Sequence, residues 1–563
     1  MSCDFCIIKD ETSQILKDSK TFTGSVESSI SHSCGGGHSA HVSSHCSQVA
    51  ARVDDQQRQG NHARPSWRQE QPVYRSIRTG SPRKPAILVG LPTQISRLPK
   101  ALQELDEAHG GRISAARRSR MFNGKAGDLI IEGDDVILVG LGDREQLDQN
   151  AIRSLGGRLA GRLHQADLHA VDVQLHRTVP EQVADGDALG QALAEGIGLS
   201  NWRVDFFDGK ASKNAAASGS LTLTSSDQEV RGGMRRGLIL AESTNEARRI
   251  SATPPNICIP SWVAQQARAA AKKTGLQCKV ISFAEAVKQG MGGLVNVGKG
   301  SAHKPCMIIL EHRPSRPRAG HRLVLVGKTM TYDSGGYSLK INNSMKGMKY
   351  DMNGGSAVLG AILAIARLKV PVNVTAVLPC AENLVSGEAY RPDDIITMHN
   401  GVTVEVTNTD AEGRLILGDA LSWSCRKLKP TAIIDVATLT GGVVVGLGHF
   451  CAGMWCEDDG LREQVEAAAV STGERVWQMP LWEEHRQFMQ AKHADIWNSG
   501  PSRNAHPIQG AAFLSYFVDK GIPWTHLDIA GVSAVEKPDD LHVVGPTGFG
   551  VRLLAEVAAR TGS

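Results

Sequence analysis

No run of about 18 or more apolar residues occurs in this chain, so no membrane-spanning helix is expected. The first residues, Met1-Ser2-Cys3-Asp4-Phe5-Cys6, lack the apolar core of a secretory signal, which makes the cytoplasm the expected location. Neither sign of charge dominates: 62 basic against 58 acidic residues leave a net charge of +4. That balance is too mild to argue by itself for nucleic acid or a membrane as partner. Paired cysteine spacing is also missing from Cys258 onward. Seven of the 11 cysteines are scattered between Cys258 and Cys456, as expected for reduced, buried thiols.

Residues 1–84 lack apolar periodicity and are rich in Ser, His, Gly, Gln and Arg, as in Cys34-Gly35-Gly36-Gly37-His38. They are expected to be a disordered tail. Cys3, Cys6, Cys34, His38 and Cys46 have the chemistry of zinc ligands, but only Cys3 and Cys6 have a useful spacing and no second pair matches them.

From about residue 85 the texture is that of a folded α/β protein. Ala86 to Gly90 and Asp135 to Gly142 are apolar runs ended by glycine, and stretches near 147–165 and 183–200 have helical spacing. A lone Gly140-Leu141-Gly142 does not complete a dinucleotide fingerprint. A long charged helix over about 227–250 is expected to stop at Thr253-Pro254-Pro255-Asn256. The domain boundary is placed on this helix and turn, separating 85–235 from a larger unit, 236–563, that includes the linker helix. In that second unit Met307–Glu311 and Arg322–Gly327 read as two central strands, joined by Asn373–Leu378 and Ala432–Val436. Unbroken apolar strands with helical crossovers imply a mostly parallel sheet, with ligands beyond the strands' carboxyl ends.

The chemistry concentrates in 328–414. Asp333, Asp351, Asp410 and Glu412 are carboxylates set among glycines and short apolar runs, together with Lys328, Lys340 and Arg414. Converging in a buried pocket, four carboxylates would repel, and two divalent cations would balance them. Oxygen donors suit Mg²⁺, Mn²⁺ or Zn²⁺. Two ions about 3.5–4 Å apart can activate a shared water and polarise a carbonyl or phosphoryl group. Lys340 and Arg414 then remain as cations, one for an oxyanion and one for an anion or the substrate. The ligand set alone leaves a two-metal phosphoesterase open.

Asn408-Thr409-Asp410-Ala411-Glu412-Gly413-Arg414-Leu415 resembles the signature of the leucyl (cytosol) aminopeptidase family. Lys328, Asp333, Lys340 and Asp351 fall at that family's spacing, and Asp435 to Gly441 and Thr547 to Gly550 resemble further family segments. The resemblance implies a metal-dependent aminopeptidase that releases N-terminal residues, leucine by preference, from peptides with a free amine. It implies Lys328, Asp333, Asp351, Asp410 and Glu412 as ligands of two ions, Mn²⁺ or Zn²⁺, with Lys328 as a neutral amine. Lys340 would polarise the scissile carbonyl, and Arg414 would hold a bicarbonate acting as general base. Backbone near Leu439 and Gly441 would line the substrate. A macro-like N-terminal α/β domain and a homohexamer are also implied. A DNA-binding or regulatory second role, as in a bacterial relative, is the alternative, but no reader motif in 85–235 supports it. Thr329, Met330 and Tyr332 depart from the usual family residues without removing a ligand.

Overall fold

The computed structural model describes residues 73–562 except 94, 96, 120, 121, 205, 206 and 208–216. The tail expectation for residues 1–72, with its cysteines and histidine, lies outside the described residues. The apolar runs of the first half form a six-stranded sheet of β1 (Tyr74–Thr79), β2 (Ala86–Pro92), β3 (Leu129–Glu132), β4 (Val136–Gly142), β5 (Ala170–Val173) and β6 (Ser218–Thr224). Its spatial order is β1-β6-β5-β2-β4-β3, and β3 alone runs antiparallel to its neighbour. Every residue of β2 and β4 is buried, which continuous apolar runs require when helices cover a sheet. The covering helices Gln149–Gln165 and Gly186–Ser200 begin at Asp148 and Asp185, whose carboxylates accept from Ala151 N and Ala188 N.

β1 corrects the boundary expected at residue 85. It pairs in parallel with β6 and buries Tyr74, so the sheet begins at 74. The strand is an edge strand whose Arg75 and Arg78 face outward, and a short half-polar strand of that kind carries no apolar run to read.

The long helix Gln228–Ala252 joins the two halves. Val230 and Met234 pack into the core of the first sheet, while Leu240 and Ile250 pack into the core of the second. The second sheet contains β7 (Gln277–Ile281), β8 (Cys306–His312), β9 (Arg322–Gly327), β10 (Thr329–Asp333), β11 (Asn373–Asn383), β12 (Ala432–Ala437), β13 (Ala452–Cys456), β14 (Val476–Gln478) and β15 (Trp524–Asp528). The order is β14-β13-β15-β12-β9-β11-β8-β7, with β10 alongside β11. β15, β12, β9 and β11 form a parallel block. β8 is not central, as its sequence suggests, but antiparallel and next to the edge. Its residues are apolar because both faces are covered: Ile308 and Leu310 enter one core, Met307 and Ile309 the other.

Two buried helices flank this sheet, Asn353–Leu368 on one face and Gly413–Leu428 on the other. Each starts one or two residues after a candidate ligand, Asp351 or Glu412, so the positive helix ends point toward the carboxylates. The seven cysteines from Cys258 onward are free thiols. Among the described residues no helix is long and apolar enough to cross a membrane.

Candidate metal centre

The carboxyl ends of the parallel block converge on one cleft of ≈ 900 Å³. Lys328 leaves β9, Asp333 ends β10, Asn383 ends β11, and Thr438 follows β12. The loop before the helix Gly413–Leu428 adds Asp410 and Glu412. One ligand atom from each of Asp333, Asp351 and Glu412 lies within 4.8 Å of the other two, and all three residues are buried. Asp410 stands apart from this trio, with its side chain 32% exposed at the rim.

Two lysines divide the carboxylates between them. Lys328 Nζ lies 2.8 Å from Asp351 Oδ1 and 3.0 Å from Glu412 Oε1, and donates to the Thr438 carbonyl at 2.9 Å. Lys340 Nζ lies 2.9 Å from Asp333 Oδ2 and 2.5 Å from Asp410 Oδ1. Glycine makes the first of these positions possible. A Cβ on residue 413 would sit 2.4 Å from Lys328 Cε, so only Gly413 lets that amine through. Gly335, at φ +86°, turns the chain beneath Asp410, where a Cβ would strike the Ser338 carbonyl at 2.4 Å.

The electrostatics record an excess of buried negative charge. Burial lifts the Asp351 carboxyl well above the usual range; Lys328 opposes the rise, and Glu412 and Asp333 reinforce it. Burial, with Asp333 and Glu412, pushes Asp410 up to about 7 against the pull of Lys340. Burial disfavours the charge on Lys328, but Asp351, Glu412 and Asp333 outweigh it and hold the ammonium above the ordinary lysine range. Lys340 is raised likewise by Asp333, Glu412 and Asp410 against burial. Among the protein's own groups, then, Lys328 is an ammonium balancing two carboxylates. Its use as a neutral ligand needs another cation among the same oxygens.

The donor set fits such a cation. Among the described residues, Asp351 Oδ2 and Glu412 Oε2 are buried with no hydrogen-bond partner. A buried carboxylate oxygen in that state is costly unless an ion meets it. Arg414 is on the same cleft but outside the lysine–carboxylate cluster. Its Nη1 donates to the Asn498 carbonyl at 2.8 Å, and its buried Nε has no partner among the described residues. Burial lowers the guanidinium to about 10, against Glu412 and Asp528. Leu439 and Gly441 line the cleft.

Several supporting residues carry little or no sequence signal. Asn383 donates to Asp333 Oδ1 and to the Thr409 carbonyl, each at 2.9 Å. Thr438 donates to Asp351 Oδ1 at 2.9 Å; it lies inside the family-like stretch Asp435 to Gly441. Asn498 braces the signature loop from outside, accepting from Thr407 N at 2.8 Å and donating to the Asn408 carbonyl at 2.6 Å. Tyr390 donates to the Thr409 carbonyl at 2.6 Å. Asn383, Asn498 and Tyr390 are distant in sequence from the ligands they support, and a lone amide or phenol has no spacing to betray it.

Compared with known proteins, residues 245–555 match the catalytic domain of the cytosol aminopeptidase family, peptidase M17, and residues 88–210 match its N-terminal domain. A probable cytosol aminopeptidase of Persephonella marina is 38% identical over 473 residues, covering 81% of this chain and 93% of the relative. One from Solibacter usitatus is 40% identical over 423 residues, covering 75% and 86%. Among solved structures, the bottromycin maturation enzyme BotP in complex with Mn aligns with a TM-score of 0.74 at 30% identity, covering 85% of this chain and 100% of that one. A tomato leucine aminopeptidase mutant aligns with a TM-score of 0.74 at 30% identity, covering 87% and 97%.

Proposed function

This chain belongs to the cytosol aminopeptidase family and is a metal-dependent aminopeptidase, and we propose that Lys328, Asp333, Asp351, Asp410 and Glu412 hold two divalent ions while Lys340 and Arg414 act on the substrate. One observation carries the assignment: the buried trio Asp333, Asp351 and Glu412, within 4.8 Å of one another, with unpartnered oxygens on two of its members. When bound, the ions supply Lewis acidity toward a water and toward the scissile carbonyl, and a bicarbonate at Arg414 supplies a base.

The chain's own groups do the rest. Asn383 and Thr438 orient the Asp333 and Asp351 carboxylates, which supports their use as fixed ligands. Lys340, held charged by its acidic neighbours, is the donor for oxygen charge developing at the carbonyl. Arg414 keeps one edge on Asn498 and has its buried Nε left for a small oxyanion. The substrate's free α-amine would take a place among the ligands, which limits cleavage to one residue at a time. Leucine is the preferred residue in this reading. Mn²⁺ is placed before Zn²⁺ because the BotP neighbour is described with Mn. A cytoplasmic homohexamer, with 73–235 as the N-terminal domain and 236–563 as the catalytic one, completes the proposal.

The test is turnover by the purified protein on a panel of aminoacyl p-nitroanilides, with metal content measured alongside. Release of leucine that scales with bound metal is expected. Full turnover by thoroughly metal-depleted protein would overturn the reading.

A further inference from the structure

Among the described residues, the acidic groups lining the cleft are the four candidate ligands alone, and Lys328, Lys340 and Arg414 are the cations set among or beside them. Arg503 is a fourth cation on the same wall, and it is different in kind. It is exposed, and it forms no ion pair with any described residue.

The loop that carries it is tied down. Gln509, 2% exposed, accepts from Gly500 N at 3.0 Å through Oε1. Its Nε2 donates to the carbonyls of Ser502 at 2.8 Å and Asn504 at 2.7 Å. Ala505, at φ +50°, then turns the chain into the helix His506–Leu514. One buried amide therefore fixes the backbone on both sides of Arg503. The half-buried His506 imidazole is lowered by burial and by both Arg414 and Arg503, which puts it within the field of both guanidinium groups. Arg414 and Arg503 thus both line the cleft, the first buried and the second exposed.

We propose that Arg503 is a specificity residue that binds the C-terminal carboxylate of a short peptide on the leaving-group side of the cleft. The inference rests on the aminopeptidase reading above and adds the substrate class: dipeptides and similar short peptides with a free C-terminus. A guanidinium fork matches a carboxylate in two parallel hydrogen bonds. A clamped loop lowers the ordering cost of making them. Gln509 is a positioning residue in this scheme.

The experiment compares Leu-Gly, Leu-glycinamide and Leu-Glu-amide as substrates of the wild type, Arg503→Gln and Arg503→Lys, all metal-loaded. In the wild type Leu-Gly is expected to exceed Leu-glycinamide about 10-fold in kcat/KM, through KM, as befits one charge-assisted contact. The ratio should fall to about 1 in Arg503→Gln and be partly kept in Arg503→Lys. Gln509→Ala should reduce the same ratio with kcat for Leu-glycinamide less affected than KM for Leu-Gly. An unchanged ratio in Arg503→Gln overturns the proposal. A wild-type preference for Leu-Glu-amide over Leu-Gly also overturns it, assigning the subsite to acidic side chains. Failure of the wild type to release leucine from any of the three would instead refute the aminopeptidase reading.

Discussion

Asn383 donates one amide group to two acceptors, Asp333 Oδ1 and the Thr409 carbonyl, each at 2.9 Å. The end of β11 thereby ties a candidate ligand to the loop that carries two others. Removing such an outer partner typically costs about 10–100-fold in metal affinity or activity. Asn383→Ala is expected to lose metal in that range while retaining its fold. Metal titration of the variant, alongside its thermal midpoint, checks this; wild-type affinity would mean that the Asp333 carboxylate does not depend on Asn383.

Asp410 and Glu412 lie two residues apart but in different surroundings, one at the rim and one fully buried. Asp410→Ala and Glu412→Ala should each reduce hydrolysis of leucine p-nitroanilide to background. Circular dichroism should report a folded protein in both cases. Substantial turnover by either variant contradicts the ligand assignment.

Chelation should act on the same centre. EDTA followed by gel filtration is expected to abolish activity, and Mn²⁺ or Zn²⁺ to restore it, with about two ions per chain at saturation. A plateau at one ion would leave Asp410 without a metal role.

A second buried charge network joins the two domains. Arg153 Nε lies 2.6 Å from Glu195 Oε2, Arg552 Nη1 lies 3.1 Å from the same oxygen, and Arg552 Nη2 lies 3.2 Å from Glu474 Oε1. Breaking a buried pair on one side leaves an uncompensated charge and costs about 3–5 kcal/mol. Glu195→Ala should lose stability in that range in urea unfolding. Burial raises the Glu195 carboxyl, but Arg153 and Arg552 outweigh it and hold the group below its ordinary value. Its contribution is therefore present above the unfolded carboxylate's pKa of about 4.3 and lost as pH falls toward the folded value. The wild-type urea midpoint should drop below about pH 4.5 more steeply than that of Glu195→Gln.

β1 sets a sharper test of the N-terminal boundary. Deleting residues 1–84 removes Tyr74, whose hydroxyl donates to the Leu168 carbonyl at 2.5 Å, together with the strand that pairs with β6. Deleting only 1–72 spares both. The longer deletion is expected to lower the thermal midpoint relative to the shorter one; equal midpoints would mean that β1 contributes nothing.

What was legible in the sequence and what was not divide along a physical line. Covalent neighbours and repeated spacing are visible in a string of letters. The signature from Asn408 to Leu415, the apolar runs of β2, β4, β9 and β12, and the proline stop after the joining helix are features of that kind. They determined the fold class, the family and the candidate ligands. Strand position was less legible, because β8 is covered on both faces and so reads like a central strand although it is antiparallel and near the edge. β1 was hidden for the opposite reason, as a half-polar edge strand carries no run. Only the tertiary structure decided how charge is shared: Lys328 with Asp351 and Glu412, Lys340 with Asp333 and Asp410. It alone brought Asn383 against Asp333, Asn498 against Arg414, and Arg503 to the cleft. Those relations depend on distances between strand ends far apart in the chain, and on burial, which sets the strength of every charge inside the cleft.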